Sequence, residues 1–344
     1  MSITKDVKAE LGRRVAAATE QSFLDARFRP YFPADTEAGD TAEASSDGWA
    51  VRVVQLDSTG AATVEIRRPA AAVFAKFFPP GTDGRAIYEK LLSLREEGGF
   101  GAGSSYQVVD PVGFVPELDL LICREAQGPS VAQVLDSGDH AAGLEAVREA
   151  ARWLGRLHST HLRIGAPHSL IVSTEILSLT RRLAKVAAER PDYVREAVGM
   201  VERLELLAPD TVDGLAVQSH GQYRPIHVFL GGGATTVIDL DRSRPADPAR
   251  DTAEFLHRLR RQLLGAGRGD EAADEATIAF LDAYRESVPD AGAWTANLRF
   301  HWARYVFHSM NRKLKKGSTE EDERAVEAYR RDFAALVDGG LLPE

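Results

Sequence analysis

The sequence predicts an α+β fold, with a small antiparallel sheet built early in the chain and a larger, mainly helical part after it. Three observations carry this. Short apolar runs bounded by turn residues crowd the stretch from Trp49 to Cys123. From Gly143 onward, apolar residues recur at helical spacing, the period that turns one face of a helix inward. Residues Val217 to Asp241 interrupt that pattern and read as two short strands joined by Gly231-Gly232-Gly233, the signature of a glycine hairpin. With 344 residues, 44% of them hydrophobic, the chain can bury one large core or two lobes. Shifts in composition divide it into 1–48, 49–125 and 126–344.

Charge and cysteine usage narrow the class. A net charge of −9 argues against a general nucleic-acid binder, whose footprint is basic. The single cysteine, Cys123, excludes an internal disulfide framework and suits the cytoplasm. No charged-then-apolar leader pattern opens the sequence and no apolar run reaches about 18 residues, so a soluble protein without a membrane partner is expected.

In chain order, residues 4–28 read as an amphipathic helix with Val7, Leu11, Val15 and Ala18 on one stripe. Phe23, Phe28, Tyr31 and Phe32 follow, suited to docking on the body. Ala34 to Gly48 carries Asp35, Glu37, Asp40, Glu43 and Asp47 and no basic residue. It reads as a solvated acidic loop, with a lid or a partner contact as the alternative. Strands are expected at Trp49–Leu56, Ala62–Arg67 and Ala72–Phe78, the first two joined by Asp57-Ser58-Thr59-Gly60. Lys76 lies inside the third. A buried ammonium costs several kcal/mol unless it is paired, so Lys76 needs an anion or must snorkel from an edge. The helix expected at Gly84–Glu96 offers Glu89, chosen by helical phase. Tyr106–Val109 and Leu118–Cys123 complete a five-stranded sheet.

Helices are then expected at Gly143–Thr160, Thr174–Glu189, Pro191–Leu207, Asp251–Leu264, Asp270–Glu286, Ala291–Lys315 and Ser318–Val337. The last opens on a Ser318-x-x-Glu321 capping box. Trp294, Leu298, Trp302 and Tyr305 fall on one face, a core stripe in preference to an aromatic cage for a quaternary ammonium. Arg312, Lys313, Lys315 and Lys316 read as a solvated helix end, with a grip on an acidic peptide or phosphate as the alternative.

The chemistry concentrates between Val217 and Leu256. Closing the glycine hairpin brings His220, Gln222 and His227 towards Asp239 and Asp241, a set able to hold a divalent cation and a transferable phosphate. This stretch resembles the aminoglycoside phosphotransferase and choline kinase family, which is protein-kinase-like. The family signature runs His-Gly-Asp-x-x-x-x-Asn, then Ile-Asp-(Trp/Phe)-(Asp/Glu), then Asp-Pro-Ala-x-Asp. His220, Gly221, Pro225, Ile238, Asp239, Asp241 and Asp247-Pro248-Ala249-Arg250-Asp251 follow it. Gln222 stands at the family's catalytic Asp and His227 at its metal-binding Asn.

The resemblance implies a two-lobed fold and an ATP-dependent phosphotransferase using Mg²⁺ or Mn²⁺. The acceptor would be a hydroxyl of a small molecule or of a peptide Ser/Thr. Lys76 would contact nucleotide phosphates with Glu89 orienting it, and Arg124, Glu125 and Ala126 would meet the adenine through their backbone. Asp239 would be the principal metal ligand with His227 beside it, and Asp251 would support the loop. Gln222 can orient a hydroxyl but cannot take its proton at neutral pH. His220 and Asp241 are the substitute candidates, and His158, closing a Leu-x-x-Leu-His helix end, reads as structural. Gln222 also leaves open a catalytically impaired protein that binds nucleotide, peptide or a partner enzyme.

Overall fold

The computed structural model describes residues 5–32, 48–56, 60–69, 71–168, 172–209, 216–315 and 319–340. The chain divides into two compact units, Met1–Gln127 with Thr236–Ile238, and Gly128–Thr235 with Asp239–Glu344.

The first unit carries α1 (Lys5–Thr19), the single turn α2 (Gln21–Phe23), β1 (Ala50–Leu56), β2 (Ala62–Arg68), β3 (Ala71–Phe77), α3 (Gly84–Glu96), β4 (Tyr106–Val108), β5 (Pro111–Val115) and β6 (Leu120–Arg124). Its sheet has the order β1-β2-β3-β6-β5, every neighbouring pair antiparallel. One face of the sheet gives Val64, Ile66, Val73, Ala75, Phe77 and Ile122 to a core that also takes Leu11, Ala18, Leu24, Phe28 and Phe32. The N-terminal helix is thus part of this unit. It is pinned by Arg14, whose Nε donates to the Leu118 carbonyl at 3.0 Å and whose Nη1 donates to that of Phe78 at 3.2 Å.

Five strands were expected, but one member differs. Pro111–Val115, at the edge of the sheet, is its fifth strand where Tyr106–Val109 was expected. Pro111 and Gly113 disguise it, because a proline is tolerated at the start of an edge strand and the register slips between these two residues. The acidic segment 34–47 and the turn residues 57–59 lie outside the described residues.

The second unit carries α4 (Val131–Ser137), α5 (His140–Ser159), α6 (Val172–Glu189), α7 (Val194–Leu207), β7 (Val217–Ser219), β8 (Val228–Gly231), the start of β9 (Ala234–Val237), whose last two residues belong to the first unit, β10 (Arg244–Ala246), α8 (Ala249–Gly265), α9 (Gly269–Ser287), α10 (Ala291–Thr295), α11 (Leu298–Lys315) and α12 (Glu320–Asp338). Buried Trp153, Phe255, Phe280, Tyr284, Trp302 and Phe307 fill its centre; of the expected stripe, Leu298 and Trp302 are buried in the core and Trp294 and Tyr305 are half-buried. The helix expected at Ala291–Lys315 is broken between Thr295 and Leu298. The last helix is capped by Thr319, whose side chain accepts from the Asp322 amide, while Ser318 lies outside the described residues. Helix α4 escaped the sequence reading because it is only seven residues long, too short to show a period. Its Ser130–Gln133 capping box was the available signal.

Candidate active site

The loop after β7 is built from the inside out. Tyr223 is fully buried, stacked at 5.7 Å on Trp153 and 5.2 Å on Phe255, and its hydroxyl donates to the Ala150 carbonyl at 2.7 Å. That plug fixes the loop on α5 and α8. Gly221 makes the turn with φ +82°, and a Cβ there would lie 2.4 Å from the Arg242 carbonyl oxygen. Left-handed backbone and a backbone clash act together, so Gly221→Ala is expected to cost roughly 2 kcal/mol or more of stability. Denaturant unfolding checks this, and a variant as stable as the parent would show that the turn can make room for a Cβ.

Asp251, on the first turn of α8, is buried beneath the loop. Its carboxylate accepts from the His220 amide at 2.5 Å and the Gly221 amide at 2.9 Å. His158 Nε2 faces the same carboxylate at 3.4 Å, and His158 Nδ1 faces the Tyr284 hydroxyl at 2.7 Å. Burial alone would raise the Asp251 carboxyl, but the hydrogen bond and charge of His158, with the charge of His220, bring it below its ordinary value. Asp247 is equally enclosed. It accepts from Asn297 at 2.8 Å, His301 at 3.0 Å and the Ala249 amide at 2.9 Å, more than a simple turn residue before Pro248 would do.

Gln222 is half-buried on the loop. With its amide oriented by its neighbours, the side-chain oxygen accepts from both terminal nitrogens of Arg224, at 2.7 and 3.0 Å. Arg224 Nε in turn donates to Glu254 at 2.7 Å, whose carboxylate is nearly inaccessible. The acceptor atom of Gln222 is therefore occupied, and its NH₂ is what the position presents. His220 is fully buried, stacked at 5.8 Å on His227, and its Nδ1 accepts from the Gln222 amide at 3.3 Å. Burial and that bond tie the ring into the loop's shape.

His227 ends the helical turn before β8. Its Nδ1 donates to the Gln222 main-chain carbonyl at 3.0 Å, which assigns the proton to Nδ1 and leaves a lone pair on Nε2. Burial, then the charge of His220, push the imidazole well below its usual range. Nε2 faces Asp239 Oδ2 at 3.5 Å. Asp239 follows the β8–β9 hairpin, whose Gly232 and Gly233 both have positive φ, and is itself left-handed at φ 66° and ψ 43°. Only two non-glycine described residues adopt positive φ, and strain of this kind clusters at functional sites. An imidazole lone pair facing a carboxylate suits a cation between them. Among the described residues no three His, Cys, Asp or Glu side chains gather as a metal cage. The pair thus fits an ion whose other ligands are phosphate oxygens and water, and the nitrogen donor fits Mn²⁺ better than Mg²⁺. Asp241 is half-buried in the turn Leu240–Arg242.

The remaining expected residues lie in the first unit. Lys76 is half-buried on β3, its ammonium 5.9 Å from the Phe78 ring centroid. Glu89 lies on the solvent side of α3, 62% exposed and 3.8 Å from Arg85. The phase that buries Ile87, Leu91 and Leu94 turns it outward to Arg85, and not to Lys76, the partner expected of it. Of the three segment amides, that of Arg124 donates to the Asp110 carbonyl at 2.9 Å and that of Glu125 to Ala72 at 3.3 Å. A base read by this segment would meet the Ala126 amide and the carbonyls. The Glu125 side chain pairs with Arg67 at 2.9 Å. Sequence reasoning missed Arg224 and Glu254, thirty residues apart. The arginine two places after Gln222 was the signal, since a guanidinium there meets the amide oxygen.

The chain is similar to known proteins. The model of the APH family, described as the phosphotransferase enzyme family, matches residues 46–290. No curated protein matches the chain in sequence. An aminoglycoside-3'-phosphotransferase of type VIII is 18% identical, covers 85% of this chain and 99% of its own, and superposes with a TM-score of 0.51. Choline kinase from Cryptosporidium parvum Iowa II is 11% identical, with 88% and 93% covered and a TM-score of 0.58. A glucosamine kinase in complex with glucosamine, ADP and inorganic phosphate is 14% identical, with 86% and 83% covered and a TM-score of 0.55. At these identities the likenesses establish the fold, which is α+β with a small antiparallel sheet and a mainly helical remainder. The match over residues 46–290 spans well over half of the sequence, and on that ground the chain belongs to the phosphotransferase enzyme family.

Proposed function

We propose that this phosphotransferase moves the γ-phosphate of ATP to a hydroxyl of a small molecule or of a peptide Ser/Thr. The observation that carries the reading is Asp239, left-handed in its backbone, whose carboxylate faces the His227 lone pair at 3.5 Å, with Asp251 holding the His220 and Gly221 amides of the loop before His227. Asp239 and His227 would hold a divalent ion, which when bound neutralises phosphate charge. Lys76 would meet the nucleotide's phosphates and the Ala126 amide its base. The acceptor oxygen forms its bond to Pγ as the bond from Pγ to the β-phosphate oxygen breaks, ADP leaves, and the hydroxyl proton passes to solvent. Phosphoryl transfer asks mainly for positioning and charge neutralisation, so Gln222 serves by orienting the hydroxyl. General-base assistance is worth roughly 10²–10⁴-fold, and its loss here implies a slow enzyme.

One observation favours a second reading. The Gln222 oxygen is clamped by Arg224, which suits a protein that binds nucleotide and a peptide or partner enzyme without transfer. Calorimetric titration with ATP in Mn²⁺, Mg²⁺ and chelator is expected to show metal-dependent binding that Lys76→Ala and Asp239→Ala both abolish. No binding under any condition would sink both readings. Transfer that appears only when Gln222→Asp is combined with Arg224→Met would favour the second.

A further inference from the structure

Arginines accumulate on one side of the candidate loop. Arg224 reaches Glu254 at 2.7 Å, and Arg258, one turn further along α8, approaches the same carboxylate at 3.8 Å. His257 next to it faces the Ser309 hydroxyl at 2.8 Å, so α11 runs alongside, and Arg312 stands one turn beyond Ser309 on that helix. Arg261 is already taken by Asp332. Two guanidinium groups, Arg224 and Arg258, thus share one carboxylate, Glu254, and Arg312 on the neighbouring helix is near enough for its charge to act on Arg258, in a protein whose net charge is −9. Arg258 Nε is buried with no hydrogen-bond partner, and such a group calls for an explanation. Three of the five N–H groups of Arg224 are used by Gln222 and Glu254, which leaves two. Burial, then the charges of Arg224 and Arg312, hold the Arg258 guanidinium below its usual range against the pull of Glu254, as expected of cations crowded beyond their counter-charge.

We propose that Arg224, Arg258 and Arg312 form an oxyanion-binding subsite beside Gln222 that takes a phosphate or carboxylate group carried by the acceptor. The proposal rests on the phosphotransferase reading and deepens it. Guanidinium groups suit planar and tetrahedral oxyanions through paired N–H donors, and a cationic acceptor would be repelled from the same place. The NH₂ of Gln222, on the opposite side of the amide from the oxygen that Arg224 clamps, adds a further donor. Arg312, in the basic run at the end of α11, then acts as a ligand group in addition to favouring the helix end.

The test is calorimetric titration of the full-length protein, saturated with Mg²⁺ and AMP-PNP, with inorganic phosphate and separately with citrate. Binding of at least one anion is expected, weakened about tenfold by Arg258→Gln and by Arg312→Gln, with AMP-PNP affinity unchanged. Arg312 is exposed, so its substitution leaves the fold intact even where Arg258→Gln does not. Phosphate preferred over citrate, or the reverse, tells which group the acceptor carries. No binding of either anion, or binding unaffected by both substitutions, overturns the proposal. Lys76→Ala separates the two readings, because it is expected to lose AMP-PNP and keep phosphate. If AMP-PNP never binds, the phosphotransferase reading fails while the anion titrations are still scored on the protein alone.

Discussion

Replacing Asp239 is expected to lower phosphate transfer about 10³-fold, roughly 4 kcal/mol of barrier at 1.36 kcal/mol per tenfold. The effect follows from position. Asp239 offers the carboxylate that faces the His227 lone pair, and a metal-assisted transfer loses charge neutralisation when that group goes. The choice of replacement separates function from stability. At φ 66° a side chain pays roughly 1–2 kcal/mol in backbone strain, less for Asp than for Ala. Asp239→Gly relieves that strain, so it should be as stable as the parent or up to about 1 kcal/mol more stable, while transfer collapses. Stability from thermal unfolding and turnover from labelled ATP would be measured on the same preparations. A glycine variant that keeps transfer, or that loses several kcal/mol of stability, would show that Asp239 serves the fold and not the reaction.

Much of the fold was legible because it is written locally. Gly84–Glu96 was expected as a helix at the bounds it adopts, since Ile87, Leu91 and Leu94 give its period, and the structure adds the Asp83 cap. The glycine hairpin was legible from Gly232 and Gly233, whose positive φ few other residues accept. What was not legible depends on partners distant in sequence. The phase of α3 placed its apolar side but could not say that Glu89 faces Arg85. Gln222 was recognised as unable to act as a base, yet its clamp by Arg224 needed Glu254, brought in by α8, to aim the guanidinium. The Arg258–Arg312 proximity arises from α8 and α11 lying side by side, which neither helix's own sequence encodes.

The largest expected effect on stability falls at Asp251, where the loop is joined to the tail helices. Tyr284 on α9 holds His158 on α5, His158 faces Asp251, and Asp251 accepts the His220 and Gly221 amides. Trp294 on α10 packs edge-on against His158 at 6.1 Å. Asp251→Ala strands the buried His220 amide, the half-buried Gly221 amide and the imidazole together, and removing one partner from such a set costs roughly 3–5 kcal/mol. Asp251→Asn keeps one acceptor but turns an NH₂ towards a donor, for about 1–3 kcal/mol. The pH dependence distinguishes this carboxylate from mere packing. Because its pKa is lowered in the folded protein, its contribution is complete above the unfolded value near 3.9. It fades as pH falls from there through the folded value. The stability gap between the parent and Asp251→Asn, measured by urea unfolding, should be constant from about pH 7 to pH 5 and shrink below about pH 4. A gap that stays constant down to the acid transition would mean that the charge on Asp251 does not hold the loop. A gap that closes there, together with transfer lowered about 10²-fold by misplacement of the loop, would make the buried Tyr284–His158–Asp251 series the link between the tail helices and the reacting end of the protein.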